Sequence, residues 1–170
     1  MKSKIFLSAA MALALAACGT TSSSKSPTNV VQTKPKAVVG LALGGGASKG
    51  FAHIGVIKVL RENNIPVNIV TGTSAGAVVG SLYASGMSPD RLELEAQILD
   101  QTNLVDLTLS TSGFIKGQKL QDFINAKVKN RQLQQLPFKF GAVATEFGTG
   151  RMVNFTQGNA GQAVRASVSL

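Results

Sequence analysis

At 170 residues the chain has the length of one domain, and its 44% hydrophobic content is ample for a packed core. Seventeen Lys and Arg against eight Asp and Glu give a net charge of +9, a balance that suits an anionic membrane surface or a plain solvated basic face. Nucleic acid is not supported as a partner: the basic residues are spread along the chain and 5% aromatic residues offer few stacking platforms. The single cysteine excludes an intrachain disulfide framework and a cysteine-built metal site, and nothing calls for a metal or organic cofactor.

Met1-Lys2-Ser3-Lys4 is a short positive region, and Ile5 to Ala17 is an apolar run too short to span a bilayer comfortably. Residues 1–17 therefore read as a secretory signal peptide and stand outside the fold. With Lys2 and Lys4 removed, 15 basic residues face 8 acidic ones, a net charge of +7. Leu15-Ala16-Ala17-Cys18-Gly19 resembles the lipobox of bacterial lipoproteins, and that resemblance implies lipidation of Cys18. The alternative is an ordinary signal peptide followed by a chance cysteine. Gly19 in place of an aspartate resembles outer-membrane sorting in a Gram-negative cell, so the expected location is the cell envelope, lipid-anchored. Residues 18–36, rich in Thr, Ser, Lys, Pro and Asn, read as a flexible tether that keeps the folded body near the membrane.

The body begins with Ala37 to Leu43, a continuous apolar run expected as a strand buried on both faces. Gly44 to Gly50 is a glycine loop. Phe51 to Leu60 has helical apolar spacing and is expected to be largely buried, ending near Arg61 to Asn64. Ile65-Pro66 breaks it, and Val67 to Thr71 is the next strand. A helix follows Ser74 and stops near Gly86. Ser88-Pro89-Asp90 starts another, with a capping hydroxyl, proline at the first position and an acid in the first turn, running through Leu92, Leu94, Ala96 and Ile98 to about Leu99. Asn103 to Gly117 gives no clear pattern. Lys119 to Lys129 reads as a basic amphipathic helix, more plainly a surface helix than a membrane-facing one. Phe138 to Thr145 is a strand, Thr149-Gly150 a turn, Arg151 to Phe155 its hairpin partner, and Asn159 to Ser167 a helix. The βαβα order predicts an α/β fold with a mainly parallel sheet.

Gly72-Thr73-Ser74-Ala75-Gly76 sits between a strand and a helix. A turn this sharp strains the backbone at its apex and tolerates only small neighbours, so Gly72 and Gly76 fit a nucleophile elbow carrying Ser74. A Gly/Ser-rich turn of no chemical role has the same composition. The glycine loop fails as a phosphate-binding P-loop, because Gly50 is followed by Phe51, and the dinucleotide fingerprint does not fit cleanly either. An oxyanion hole remains, in which backbone N–H groups point into the space beside the nucleophile.

"LALGGGASKGFAHIGVIKVL" with "TGTSAGAVVG", then "VATEFGTGRMVNF" and "AVRASVSL", resemble in order the start of a bacterial patatin-like phospholipase domain. The resemblance covers residues 37–170. It implies a three-layer patatin-like α/β fold, of which this stretch is the N-terminal portion with the C-terminal part missing, and a membrane-tethered serine acyl hydrolase acting on lipid or phospholipid esters. Carried over by position, Ser74 is the nucleophile, and Gly45, Gly46 and Ala47, with Lys49, form the oxyanion hole. Ala47 departs from the family's usual glycine and is strained if the loop needs a positive φ there. Lys49 stands where arginine is common. The family pairs its serine with an aspartate of an Asp-Gly motif; Asp90, Asp100, Asp106 and Asp122 are the aspartates present and none precedes a glycine. The expected dyad partner therefore lies beyond Leu170, and a 170-residue chain is expected to show little esterase activity by itself. His53, the one histidine, is expected to be structural. A rival reading is a catalytically inactive lipoprotein that binds lipid or a partner.

Overall fold

The structure is a computed structural model that describes residues 37–101 and 113–169, with side chains described for 37–100 and 117–169. Residues 1–17, read above as a signal peptide, residues 18–36, read as a lipidated Cys18 and tether, and Asp106 lie outside the described residues.

A four-stranded sheet runs in the order β1 (Gly40–Leu43), β2 (Ile69–Thr73), β3 (Lys139–Thr145), β4 (Met152–Phe155). The first three strands are parallel, with Leu43 level with Gly72 and Thr73 level with Val143; β4 returns antiparallel, Thr145 opposite Met152. The α/β class with a mainly parallel sheet stands as expected. Five α-helices accompany it among the described residues: α1 (Phe51–Glu62), α2 (Ala75–Ala84), α3 (Pro89–Gln101), α4 (Gly113–Lys127) and α5 (Ala160–Val168). None is long and apolar enough to cross a membrane.

Helix α2 is the keystone. All ten of its residues are buried, and it packs against β1, β2 and β3 as well as α5. Its closeness follows from glycines four apart, which share one helix face. A side chain on Gly76 would overlap the Leu43 carbonyl oxygen, and one on Gly80 would crowd the Phe140 ring at 2.9 Å and Val70 at 3.2 Å. Leu43, Val70 and Phe140 thus line the sheet face under α2. The other face is polar around Gly141, where Thr71, Asn154 and Thr156 meet.

Several boundaries moved for physical reasons. Strand β1 begins at Gly40 rather than Ala37 and forms an end of the sheet, so only Leu43 is buried and the expected two-sided burial is absent. Strand β2 starts two residues late: the Val39 N–H goes to Asn68 Oδ1 at 2.8 Å, a side chain, while the Asn68 N–H donates to the Val39 carbonyl at 2.9 Å. Helix α1 is one-sided, with Ile54 and Ile57 buried while Val56 and Val59 face solvent. In α3 the 3.6-residue period buries Leu92, Glu95, Ala96 and Leu99 and leaves Leu94 and Ile98 exposed. Helix α4 begins six residues before Lys119, and Leu120 and Ile124, with Val128 just past its end, are the buried side, as the amphipathic pattern predicted. Short 3-10 turns at Ala47–Gly50 and Leu133–Gln135 had no sequence signature.

Other expectations hold in detail. Ser88 Oγ accepts the Arg91 N–H at 3.3 Å, capping α3 as read; Asn159 Oδ1 accepts the Gln162 N–H at 2.8 Å and caps α5, a cap not read from sequence. Gly86 ends α2 at φ +92°. One feature was not legible at all: Glu95 is 0% exposed, and its carboxylate meets Arg91 Nη2 and Lys127 Nζ at 2.7 Å each. Lys127 also lies 5.2 Å from the Phe123 ring centroid. These ion pairs to the buried Glu95 tie α3 to α4.

Candidate functional site

Strand β2 delivers the chain to Ser74 at the edge where β1, β2 and β3 all end, the side of a parallel sheet on which α/β sites form. Ser74 has φ 53° and ψ −120°, a conformation that costs an L-residue on the order of 1–3 kcal/mol. The turn can be this sharp because Gly72 and Gly76 touch: a side chain on Gly72 would run into the Gly76 carbonyl. The Ser74 carbonyl accepts the Ala77 and Val78 N–H groups at 2.8 and 3.1 Å, so the strained residue also opens α2. Ala75, at the first position of the helix, has an N–H without an intrahelical partner, and the helix dipole favours negative charge there.

Ser167 completes the elbow, and sequence reasoning missed it. Its Oγ accepts the Ser74 N–H at 2.9 Å and donates to the Val143 carbonyl at 2.5 Å, joining α5, β3 and the elbow. Ser167 is 8% exposed. It falls on the same helix face as Ala163, Val164 and Val168, and a hydroxyl on such a buried stripe needs partners, which is the clue the sequence held.

The glycine loop runs alongside. A side chain on Gly45 would stand 3.4 Å from Ser74 Cβ, and one on Gly50 would meet Ala75 Cβ at 2.6 Å. Gly45 therefore lies against the serine and Gly50 against the start of α2. Gly44 to Lys49 are exposed. The N–H groups of Gly45 and Gly46 donate to no group among the described residues in the loop and cap contacts. Gly46 takes φ 146°, and its carbonyl accepts the Lys49 N–H at 3.0 Å. Ala47 has φ 48°, so this loop does demand a left-handed residue where the sequence supplies a β-carbon. Lys49 Nζ is exposed and ion-pairs with no carboxylate among the described residues.

His53 takes a structural place. Its Nε2 lies 2.9 Å from the Gly44 carbonyl oxygen, and since a carbonyl only accepts, Nε2 carries the hydrogen. The imidazole thereby pins the start of the glycine loop to α1. Among the described residues no carboxylate or imidazole hydrogen-bonds Ser74 Oγ, and no cluster of three or more His, Cys, Asp or Glu has a metal-binding arrangement. Asp90 pairs with Lys58 at 3.6 Å, and Asp122 accepts from Gln118 at 3.0 Å.

Comparison with known proteins bears on the family and the fold. The family model described as patatin-like phospholipase matches residues 41–170. An uncharacterised NTE family protein of Mycobacterium tuberculosis is 36% identical over 134 residues, 78% of this chain and 37% of that protein. Patatin-like phospholipase domain-containing protein 7 of Rattus norvegicus is 34% identical over 138 residues, 78% of this chain and 10% of its own length. The chain thus spans little more than a third of the mycobacterial relative. Among solved structures, Pseudomonas aeruginosa ExoU in complex with SpcU superposes with a TM-score of 0.64 at 18% identity, over 78% of this chain and 38% of ExoU. Legionella pneumophila VipD gives 0.54 at 17% identity, over 78% of this chain and 42% of VipD. At these identities the two structures speak for the fold.

Proposed function

We propose that this chain, which belongs to the patatin-like phospholipase family, is a lipid-ester hydrolase in which Ser74 is the nucleophile. The observation that carries the reading is Ser74 itself, held at φ 53° on the N-terminus of α2 with Gly45 packed beside it. Ser74 Oγ attacks the ester carbonyl, and the developing oxyanion takes hydrogen bonds from backbone N–H groups of Gly45, Gly46 and Ala47. Each such donor commonly stabilises the transition state by about 3 kcal/mol. The Ser74 N–H is occupied by Ser167, so the elbow's own contribution falls to the unpartnered N–H of Ala75. Lys49 adds positive charge at the same edge.

Deprotonation of Ser74 requires a base. By resemblance to the family, whose base lies in an Asp-Gly motif, we assign the role to an aspartate outside residues 1–170, forming a Ser–Asp dyad; none of Asp90, Asp100, Asp106 and Asp122 precedes a glycine. The enzyme works tethered to the cell envelope, at the outer membrane, through lipidated Cys18. A serine-reactive fluorophosphonate tests the chemistry: a form extended past an Asp-Gly motif is labelled and turns over p-nitrophenyl esters, and Ser74→Ala abolishes both. No labelling of the extended form refutes the enzyme and favours a lipid-binding lipoprotein, a reading consistent with Ser74 Oγ having no hydrogen-bond partner among the described residues. For the anchor, Cys18→Ser is expected to move the protein from the detergent phase to the aqueous phase on Triton X-114 partitioning; an unchanged distribution overturns it.

A further inference from the structure

The connection between β3 and β4 leaves the sheet at the edge that carries Ser74. Thr73 is level with Val143, so Thr145 and the turn after it project beyond the level of the serine. The turn is built rigidly. Glu146 N–H donates to the Arg151 carbonyl at 2.8 Å, and Gly150 N–H to the Glu146 carbonyl at 3.0 Å. Glu146 Oε2 accepts from Thr149 Oγ1 at 2.5 Å and from Arg151 Nε at 3.0 Å, so the only acid in the turn is neutralised within it. Such a turn ordinarily exposes polar residues, yet Phe147 is 95% and Met152 75% exposed. At the same edge Phe51, directly after the glycine loop, is 36% exposed, and Lys49 offers a cation with no carboxylate partner among the described residues.

We infer that the β3–β4 turn is a membrane-docking tip, with Phe147 and Met152 entering the headgroup region of an anionic lipid surface while Lys49 faces its charge. The assignment rests on the lipid-hydrolase reading for its purpose: the tip sets the Ser74 edge against the bilayer from which the ester must come. An aromatic ring and a thioether are the side chains that bury readily at such a boundary, and a rigid tip loses little freedom on entering it. The chain's net charge of +9 favours an anionic lipid surface over a second copy of this chain, since two like-charged copies repel.

The chain has no tryptophan, so Phe147→Trp introduces a single fluorophore at the tip, and Ile65→Trp one at the opposite edge, before β2. Both are made in the full chain carrying Cys18→Ser, which removes the acyl anchor from both alike. With phosphatidylglycerol–phosphatidylethanolamine vesicles, emission from position 147 shifts to the blue and is quenched by brominated lipid, while position 65 reports water. In that background, Phe147→Ser with Met152→Ser weakens vesicle flotation about a hundredfold, about tenfold for each of the two large apolar side chains removed. Equal quenching at the two positions, or unchanged flotation of the serine variant, overturns the proposal. So does a blue shift that grows with protein concentration without vesicles, which assigns the tip to a second copy. Equal insertion into pure phosphatidylcholine overturns the anionic surface. Ser74→Ala leaves these readouts in place, so failure of the hydrolase reading, seen as absent fluorophosphonate labelling of the extended form, is separable from failure of the docking tip.

Discussion

Replacing Ser167 by alanine removes one oxygen that two backbone groups share. The Ser74 N–H loses its acceptor at 2.9 Å, and the Val143 carbonyl loses its donor at 2.5 Å. A hydrogen bond contributes about 1 kcal/mol net, and a buried group left without a partner costs about 1–3 kcal/mol. Since Ser167 is buried and Ser74 half-buried, water gives only partial replacement, and the expected loss is about 3 kcal/mol. The effect is not confined to stability. Ser74 sits in a backbone conformation that stores on the order of 1–3 kcal/mol, and its N–H bond to Ser167 is one of the contacts opposing relaxation. Urea unfolding measures the first part, as a lower midpoint with an unchanged slope. Hydrogen exchange at the Ser74 amide measures the second, and is expected to accelerate more than that of neighbouring α2 amides. Ser167→Thr, which keeps a hydroxyl, recovers most of the amide protection. If Ser167→Ala unfolds within about 0.5 kcal/mol of the parent and Ser74 exchange is unchanged, the hydroxyl is not what holds the elbow.

Four further outcomes are expected. Gly76→Ala places a methyl against the Leu43 carbonyl, which helix backbone cannot yield to, so α2 shifts off the sheet and stability falls by about 2–3 kcal/mol in thermal or urea unfolding. Ala47→Gly relieves a left-handed alanine costing about 1–2 kcal/mol but frees the unfolded chain by about 0.4–1 kcal/mol, so the unfolding free energy rises by about 0.5–1 kcal/mol. Lys127→Ala leaves the buried Glu95 with Arg91 alone and lowers stability by about 3 kcal/mol, whereas an effect below about 0.5 kcal/mol shows the cluster to be dispensable. Thr149, and after it Arg151, hold the Glu146 carboxyl below its ordinary value. Its contribution to the turn is therefore fully present above the unfolded carboxylate value and disappears as pH falls through the depressed one; an NMR titration of Glu146 checks this, and Thr149→Val moves its midpoint upward.

Much of the site was legible because its chemistry is local. The Gly-x-Ser-x-Gly turn, the glycine loop and the small residues of α2 are each demanded by a short-range constraint: backbone room at a sharp turn, and close approach of a helix to a sheet. The helix cap at Ser88 is equally local, and it formed. What failed to show in the sequence depends on neighbours far along the chain. An apolar run such as Ala37 to Leu43 reads the same in the middle of a sheet as at its end, and only the strand order put β1 outermost. Apolar spacing in α1 and α3 gave the helices, but which stripe is buried was settled by the elements packed against them.

The amino-acid sequence alone determined that a serine stands at a strained strand-to-helix turn beside a glycine loop, since glycine spacing and β-branched runs act within a few residues. It also determined that Ala47 would be strained if its φ were positive. Only the tertiary structure decided that φ is positive there, at 48°. Only the fold brought Ser167 across 93 positions to the Ser74 amide, buried Glu95 between Arg91 and Lys127, and set Phe147 at the serine's edge of the sheet. Each of these rests on a contact between distant segments, and such contacts exist only once the sheet and helices have closed on one another.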